Sequence, residues 1–166
     1  MSDLVVFAFK DETGAQAMGE KIKGLQKQEL IKLEDAAIVV RKPDGKAKVK
    51  QAQSLVGAGA LGGAFWGMLI GLLFWMPWLG LAVGAISGAL AGKFSDVGID
   101  DNFIKEVGDT IEPGNSALFL LIYQWTEDKV MDELKDFDAT VLRTSLSKED
   151  EEKLRDAFHY EMDDEI

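Results

Sequence analysis

The chain has 166 residues, no cysteine and one histidine, and its formal net charge is −11 at pH 7. The absence of cysteine excludes disulfides, thiolate catalysis and iron–sulfur ligation, and a single histidine excludes the usual multi-histidine metal sites. The negative charge argues against nucleic acid as a partner, because non-specific nucleic-acid binding needs a basic surface.

The N-terminal region begins with a strand pattern followed by a helix pattern. The continuous apolar run 4–9 (LVVFAF) is rich in β-forming residues and predicts a buried strand. Thr13 and Gln16 have the spacing of a capping box. Apolar residues then recur at helical spacing, so we expect a helix over about residues 13–28.

A second strand and a turn follow this helix. The sequence AAIVVR at 36–41 predicts the strand. Pro-Asp-Gly at 43–45 predicts a turn, because proline fixes φ and glycine accepts a positive φ. Residues 47–51 alternate between polar and apolar side chains, which predicts a short exposed strand and therefore a hairpin arm.

The central segment has no charged residue from 55 to 92. A run of this length exceeds the roughly 20 apolar residues of one membrane span. Pro77 interrupts the run, and proline breaks a helix. We therefore expect a membrane-embedded helical hairpin over residues 55–94. The alternative is a hairpin that is buried in a large soluble assembly.

Glycine recurs every four residues in both arms of this segment. The spacing places the glycines in one stripe on each helix, and such stripes allow the close helix packing found in lipid. The partner of each stripe is either the other arm or a neighbouring subunit. The predicted helix-packing residues are Gly59, Gly63, Gly67, Gly71, Gly80, Gly84, Gly88 and Gly92.

Aromatic and basic residues flank the predicted hairpin. Trp75, Pro77 and Trp78 lie at its expected tip, and tryptophan is typical of a membrane–water interface. Lys50 and Lys93 lie at its two ends, on the side that both termini share. The positive-inside tendency therefore predicts a membrane location with both termini in the cytoplasm. Full crossing and partial insertion both stay open.

The C-terminal region repeats the strand–helix–strand pattern. Asp100 is a candidate cap for a helix that ends at Pro-Gly 113–114. The apolar run 117–123 predicts a third core strand. Thr126 is the expected cap of the next helix, and residues 139–146 predict a fourth strand.

Two strand–helix–strand units of this size favour the α+β class. We predict a four-stranded antiparallel sheet with two helices on one face, which is the ferredoxin-like split βαβ sandwich, interrupted by the glycine-rich transmembrane or membrane-embedded hairpin. The expected divisions are 1–54 for the first half of the domain, 55–94 for the hairpin, 95–146 for the second half, and 147–166 for an acidic C-terminal helix and tail.

The sequence resembles a bacterial family of predicted membrane proteins of unknown function, in which a glycine-zipper hairpin interrupts a small α/β module. The resemblance covers most of the chain and is carried by LVVFAF, AAIVV, VGAGALGGAFWGMLIGLLF, GLAVGAISGALAG and GIDDNFIKEVGDTIEPGNSALFLLI. It implies the architecture and a membrane location. It implies no chemistry.

The search for chemistry identifies no catalytic, cofactor-binding or metal-binding residue. His159 lies among acidic residues of the C-terminal tail, but a single histidine with flexible carboxylates lacks the ligand set of a closed metal site. The glycine-rich segment lacks the Gly-Lys-Ser/Thr ending of a phosphate-binding loop. The sequence therefore predicts a protein that is not an enzyme and needs no cofactor.

Three functions follow as hypotheses. In the first, the hairpin anchors and oligomerises cytoplasmic α/β domains into a scaffold, shell or membrane-shaping array, with the lipid bilayer and further copies of the chain as partners. In the second, a membrane-tethered domain binds a small molecule or regulates another protein. In the third, oligomerised hairpins form a pore. The glycine stripes favour the first hypothesis.

Overall fold

The computed structural model describes residues 2–51 and 101–146. In chain order, the elements of these two ranges are β1 (Ser2–Phe9), α1 (Gly14–Lys27), β2 (Ile31–Arg41), β3 (Ala47–Gln51), α2 (Asp101–Thr110), β4 (Ser116–Trp125), α3 (Glu127–Leu134) and β5 (Thr140–Leu146). The strands and helices predicted for these ranges are confirmed, with shifts at their ends.

The five strands form one sheet in the order β3-β2-β4-β1-β5. Every neighbouring pair is antiparallel. β4 lies at the centre of the sheet, between β1 and β2. β4 belongs to the second described range, whereas both of its neighbours belong to the first. Because strand direction alternates across five strands, the two edge strands β3 and β5 run in the same direction.

The central strands are buried on both faces of the sheet. Residues 4–9 of β1, 35–39 of β2 and 116–122 of β4 are all buried. These are the continuous apolar runs of the sequence, and such runs are typical of strands that are covered on both sides. The faces of the sheet are therefore occupied, and the strands at its margins remain more exposed.

The first face of the sheet packs against α1 and α3. Phe7 lies near the middle of this core and is 1% exposed. The helix residues in the core recur at spacings of three and four, as expected for one face of a helix. The core consists of Val5, Phe7, Phe9, Ala15, Met18, Ile22, Leu25, Ile31, Ala36, Ile38, Leu118, Leu120, Ile122, Val130 and Leu134.

The remaining helix, α2, lies on the second face of the sheet, opposite to α1 and α3. Its buried residues Phe103 and Val107, and Ile111 directly after it, are not part of the core between the sheet, α1 and α3. α2 contacts β5, where Leu142 pairs with Val6 and is buried on the second face. The sheet therefore has helices on both sides.

The start of α1 is stabilised by residues other than those that the sequence predicts. The Thr13 side chain makes no capping hydrogen bond, so the predicted capping box is wrong. Asp11 Oδ1 instead accepts hydrogen bonds from the amides of Thr13 and Gly14, at 3.1 and 2.6 Å. The buried hydroxyl of Ser116 accepts the next amide, that of Ala15, at 3.1 Å. Thr126, likewise, precedes α3 without a side-chain cap.

The predicted turn between β2 and β3 is confirmed. Gly45 has φ +90°, a conformation that glycine adopts without steric cost. The Gly45 amide donates to the Lys42 carbonyl at 2.8 Å, and the Lys46 amide donates to Asp44 Oδ1 at 2.9 Å. β3 then pairs with β2 from Ala47↔Arg41 to Gln51↔Ala37.

β2 begins at Ile31, five residues earlier than predicted. The pairing with β4 shifts register between Lys32 and Asp35. This irregularity breaks the alternation by which a strand is recognised in sequence. Asp35 follows the irregularity and is fully buried, and its Oδ1 accepts the Ala36 amide at 2.8 Å.

The predicted fold class is wrong. The sheet has five strands instead of four, because the short arm after the turn joins the sheet as β3. Helix α2 covers the second face of the sheet, whereas α1 and α3 cover the first. The domain is therefore not a two-layer sandwich with its helices on one face. In the described ranges, no helix is long and apolar enough to cross a membrane, and a transmembrane hairpin is not shown.

Several predictions concern positions outside the described residues. These are the hairpin at 55–94, the C-terminal helix and tail at 147–166, the eight glycines of the two stripes, and Trp75, Pro77, Trp78, Lys93 and His159. The predicted domain divisions at 54, 94 and 146 are not tested.

Candidate functional site

Two polar clusters connect elements of the domain, and both use their side chains to stabilise it. The first is centred on Arg41 at the end of β2. Arg41 Nη1 donates to the carbonyl of Ile111 at 2.7 Å, and Arg41 Nε donates to that of Gly45 at 3.3 Å. Arg41 therefore connects the β2–β3 turn to the residue that follows α2.

The turn before β4 is attached to the same arginine through backbone groups. The Gly114 amide donates to the Arg41 carbonyl at 2.7 Å, and the Arg41 amide donates to the Asn115 carbonyl at 2.8 Å. Gly114 has φ +88°. The turn at 112–116, which the sequence predicts from its Pro-Gly pair, therefore positions β4 beside β2.

The second cluster is centred on Arg143 of β5. Arg143 Nη2 donates to Asp3 Oδ2 at 3.0 Å, and Arg143 Nη1 donates to Glu127 Oε1. The guanidinium also lies 5.6 Å from the centre of the Trp125 ring, whose Nε1 donates to Asp3 Oδ2 at 3.3 Å. This cluster joins the middle of β5 to β1, to the end of β4 and to α3.

Arg143→Lys is expected to lower the free energy of unfolding by about 1 kcal/mol. Lysine keeps the charge, but it loses the planar fork that contacts two carboxylates and the face of an indole. The ion pairs are partly exposed, which limits their contribution. Urea denaturation of the two proteins measures the difference, and a loss above about 3 kcal/mol would contradict this description of the cluster.

The two edges of the sheet are surfaces that lie outside these two clusters. β3 pairs only with β2, and β5 pairs only with β1, among the strands that the structure describes. The outer backbone amides and carbonyls of an edge strand form a template for pairing with another strand. We therefore treat the outer sides of β3 and β5 as the candidate functional site, named the β3 edge and the β5 edge.

The β3 edge is basic. The segment 41–51 contains five basic residues and one acidic residue. The side chains of Lys46, Lys48 and Lys50 are exposed, and in the described ranges none of them forms an ion pair. Lys48 and Lys50 pair with Val40 and Ile38, which places them on the first face, the side of α1 and α3.

The β5 edge is flanked by acidic residues. The segment 127–138, which contains α3 and the approach to β5, has six acidic residues and two basic ones. Asp128, Asp136 and Asp138 are exposed and form no ion pair in the part of the chain that the structure describes. On the strand itself, Val141 is 40% exposed. The edge therefore combines unpaired negative charge with an exposed apolar side chain.

Sequence reasoning identified only part of this site. It selected Lys50 as a flank of the hairpin, and the structure places Lys50 on the exposed β3 edge strand. The acidic flank of β5 was missed. The uneven distribution of charge along the chain was a visible signal for it, since acidic residues dominate after residue 94. Only the strand order shows that the two charges lie at opposite edges of one sheet.

Comparison with known proteins gives a match to a protein family. Residues 60–159 match the model of a family described as "Protein of unknown function (DUF1269)". No match is found among curated proteins or among solved structures. The family match covers more than half of the chain, including α2, β4, α3 and β5, and it agrees with the expected membership of a family of unknown function. The chain belongs to the DUF1269 family.

Proposed function

We propose that this protein is a non-enzymatic structural subunit that assembles with copies of itself. The observation that carries the proposal is a pair of sheet edges with opposite charge, neither of which pairs with a further strand among the described residues. The positive β3 edge and the negative β5 edge belong to the same molecule, so each copy offers both halves of a complementary contact. Complementary charge steers association and selects partners.

The distribution of burial supports contact through the edges instead of the faces. The central strands are buried on both sides, so their sheet faces are not available for a second copy. The main polar clusters also have internal roles, since Arg41 and Arg143 use their guanidinium groups to connect elements of the domain. In the ranges that the structure describes, the edges remain as surfaces whose outer backbone groups pair with no further strand and whose flanking charges are unpaired.

Charge reversal at the β3 edge is the first test. In the variant K46E/K48E/K50E, we expect association to weaken by a factor of ten or more, because the β3 edge then repels the acidic β5 edge. Analytical ultracentrifugation of the full-length protein at about 0.1 M salt, where the Debye length is about 10 Å, measures the particle mass. The unsubstituted protein is expected to form particles of several subunits.

A matched control separates the effect of the edge from the effect of total charge. The variant K10E/K27E/K105E changes the net charge by the same amount, at three exposed positions outside both edges. It is expected to keep the particle mass of the unsubstituted protein. Equal losses in the two variants would contradict a role for the β3 edge. A monomeric unsubstituted protein at all concentrations would overturn the proposed function.

A further inference from the structure

We propose that copies of this chain join head to tail, with β3 of one copy placed beside β5 of the next in a parallel pair that continues the sheet. This inference rests on the proposed self-assembly and names the surfaces that meet. It differs from a two-fold dimer, in which the same edge of both copies would meet.

Charge excludes contacts between like edges. A β3–β3 contact would bring the lysines at 46, 48 and 50 of two copies together, and like charges across a strand pair are destabilising. A β5–β5 contact would bring together two α3 flanks, each with an excess of acidic residues over the segment 127–138. Only the β3–β5 contact joins opposite charges.

The strand directions set the geometry of this contact. β3 and β5 run in the same direction because all neighbouring strands of the five-stranded sheet are antiparallel. A second copy that keeps its faces on the same sides therefore presents β3 parallel to β5. In that arrangement, Lys46, just before β3, lies near Asp138, just before β5.

The faces also match in this arrangement. Lys48 and Lys50 lie on the first face of the sheet. α3, which carries Asp128, covers that same face. Lys48 and Lys50 would be about 6.6 Å apart, at the rise of two strand residues. The lysines of one copy are thus placed on the same side as the carboxylates of the next.

The local positive charge of β5 does not oppose this contact. Arg143 is the one basic residue of β5, and its guanidinium is already paired with Asp3 and Glu127. Val141 lies two residues before Arg143 and is exposed on the first face, where it pairs with Phe7. A neighbouring strand would cover this apolar side chain. Head-to-tail contacts of this kind produce closed rings or open ribbons.

Disulfide trapping tests the inference, because the chain has no cysteine of its own. Ala47→Cys places a thiol at the start of β3. Thr140→Cys and Thr144→Cys place thiols at the start and near the end of β5, about 13 Å apart. All three positions lie on the second face of the sheet, as their pairing with Arg41, Ala8 and Leu4 shows. A tag on the Ala47→Cys protein distinguishes mixed dimers from dimers of one variant.

The parallel head-to-tail contact predicts a specific pattern under mild oxidation. Ala47→Cys mixed with Thr140→Cys should form mixed dimers at least fivefold faster than Ala47→Cys mixed with Thr144→Cys. Each variant alone should form few dimers. Lys27→Cys is the control partner, since Lys27 is exposed at the end of α1 and lies outside both edges. Circular dichroism confirms that each variant is folded.

Each other outcome overturns the inference in a recognisable way. Efficient disulfides within a single variant would show contact between like edges and would leave the proposed self-assembly standing. Faster trapping with Thr144→Cys would show antiparallel contact. Large particles without any trapping would place the contact on another surface. A monomer by ultracentrifugation, with no trapping, would overturn the proposed function itself.

Discussion

Phe7→Ala is expected to lower the free energy of unfolding by about 3–5 kcal/mol, the range for truncating a buried phenylalanine. Phe7 is 1% exposed and lies in the core between the sheet and the helices α1 and α3. Its strand, β1, pairs with β4 on one side and with β5 on the other. A cavity at this position therefore loosens the centre of the domain.

The measurement is the free energy of unfolding from urea denaturation of both proteins. Domains have a total stability of only about 5–15 kcal/mol, so the variant is expected to lose a large fraction of it and to unfold at a lower urea concentration. Tyr123→Ala is the control, because Tyr123 is 56% exposed although it also lies on a core strand. Its expected change is within about 0.5 kcal/mol. Equal losses at the two positions would contradict the described core.

Gly14→Ala is expected to destabilise the protein by about 1–3 kcal/mol, as overpacking of a filled site does. A Cβ atom at Gly14 would lie 2.5 Å from Cγ and Cδ1 of the Phe9 ring and 2.7 Å from Phe9 Cβ. The Phe9 ring is 5% exposed and packs edge-on against Phe137, with ring centres 6.3 Å apart. The ring cannot move without disturbing the packing around it.

Gly24→Ala is the matched control within the same helix. A Cβ at Gly24 meets no atom within 4 Å, and alanine restricts the unfolded chain more than glycine does. This substitution is therefore expected to stabilise the protein by about 0.4–1 kcal/mol. Thermal unfolding of both variants shows whether each substitution lowers or raises the stability of the protein. Stabilisation by both substitutions would contradict the close approach of Gly14 to Phe9.

The predicted elements that the structure confirms are those with a strong local pattern. The run LVVFAF forms β1, the helical spacing after residue 13 forms α1, and Pro-Asp-Gly forms the turn before β3. Strand and helix periodicities and the conformations of proline and glycine act over a few residues, so the sequence alone shows them. The capping of α1 was missed in part because one acceptor, Ser116, is about one hundred residues away in the chain, although the other acceptor, Asp11, is local.

The candidate site was not predictable in the same way. Lys46, Lys48 and Lys50 form a basic run before an uncharged segment, and the sequence alone associated one of them, Lys50, with a membrane surface. Their place at a sheet edge depends on the pairing of β3 with β2 alone among the described strands. Pairing partners far apart in the chain are selected by packing, which no local pattern encodes.

The sequence by itself determined the order of the elements, the buried character of β1 and β4, and the imbalance of charge between the two halves of the chain. The tertiary structure decided that the hairpin arm becomes a fifth strand, that α2 covers the second face, and that opposite charges lie at opposite edges. The physical reason is the range of the interactions: backbone preference and periodicity are local, whereas strand order and the faces available for burial depend on contacts between distant residues.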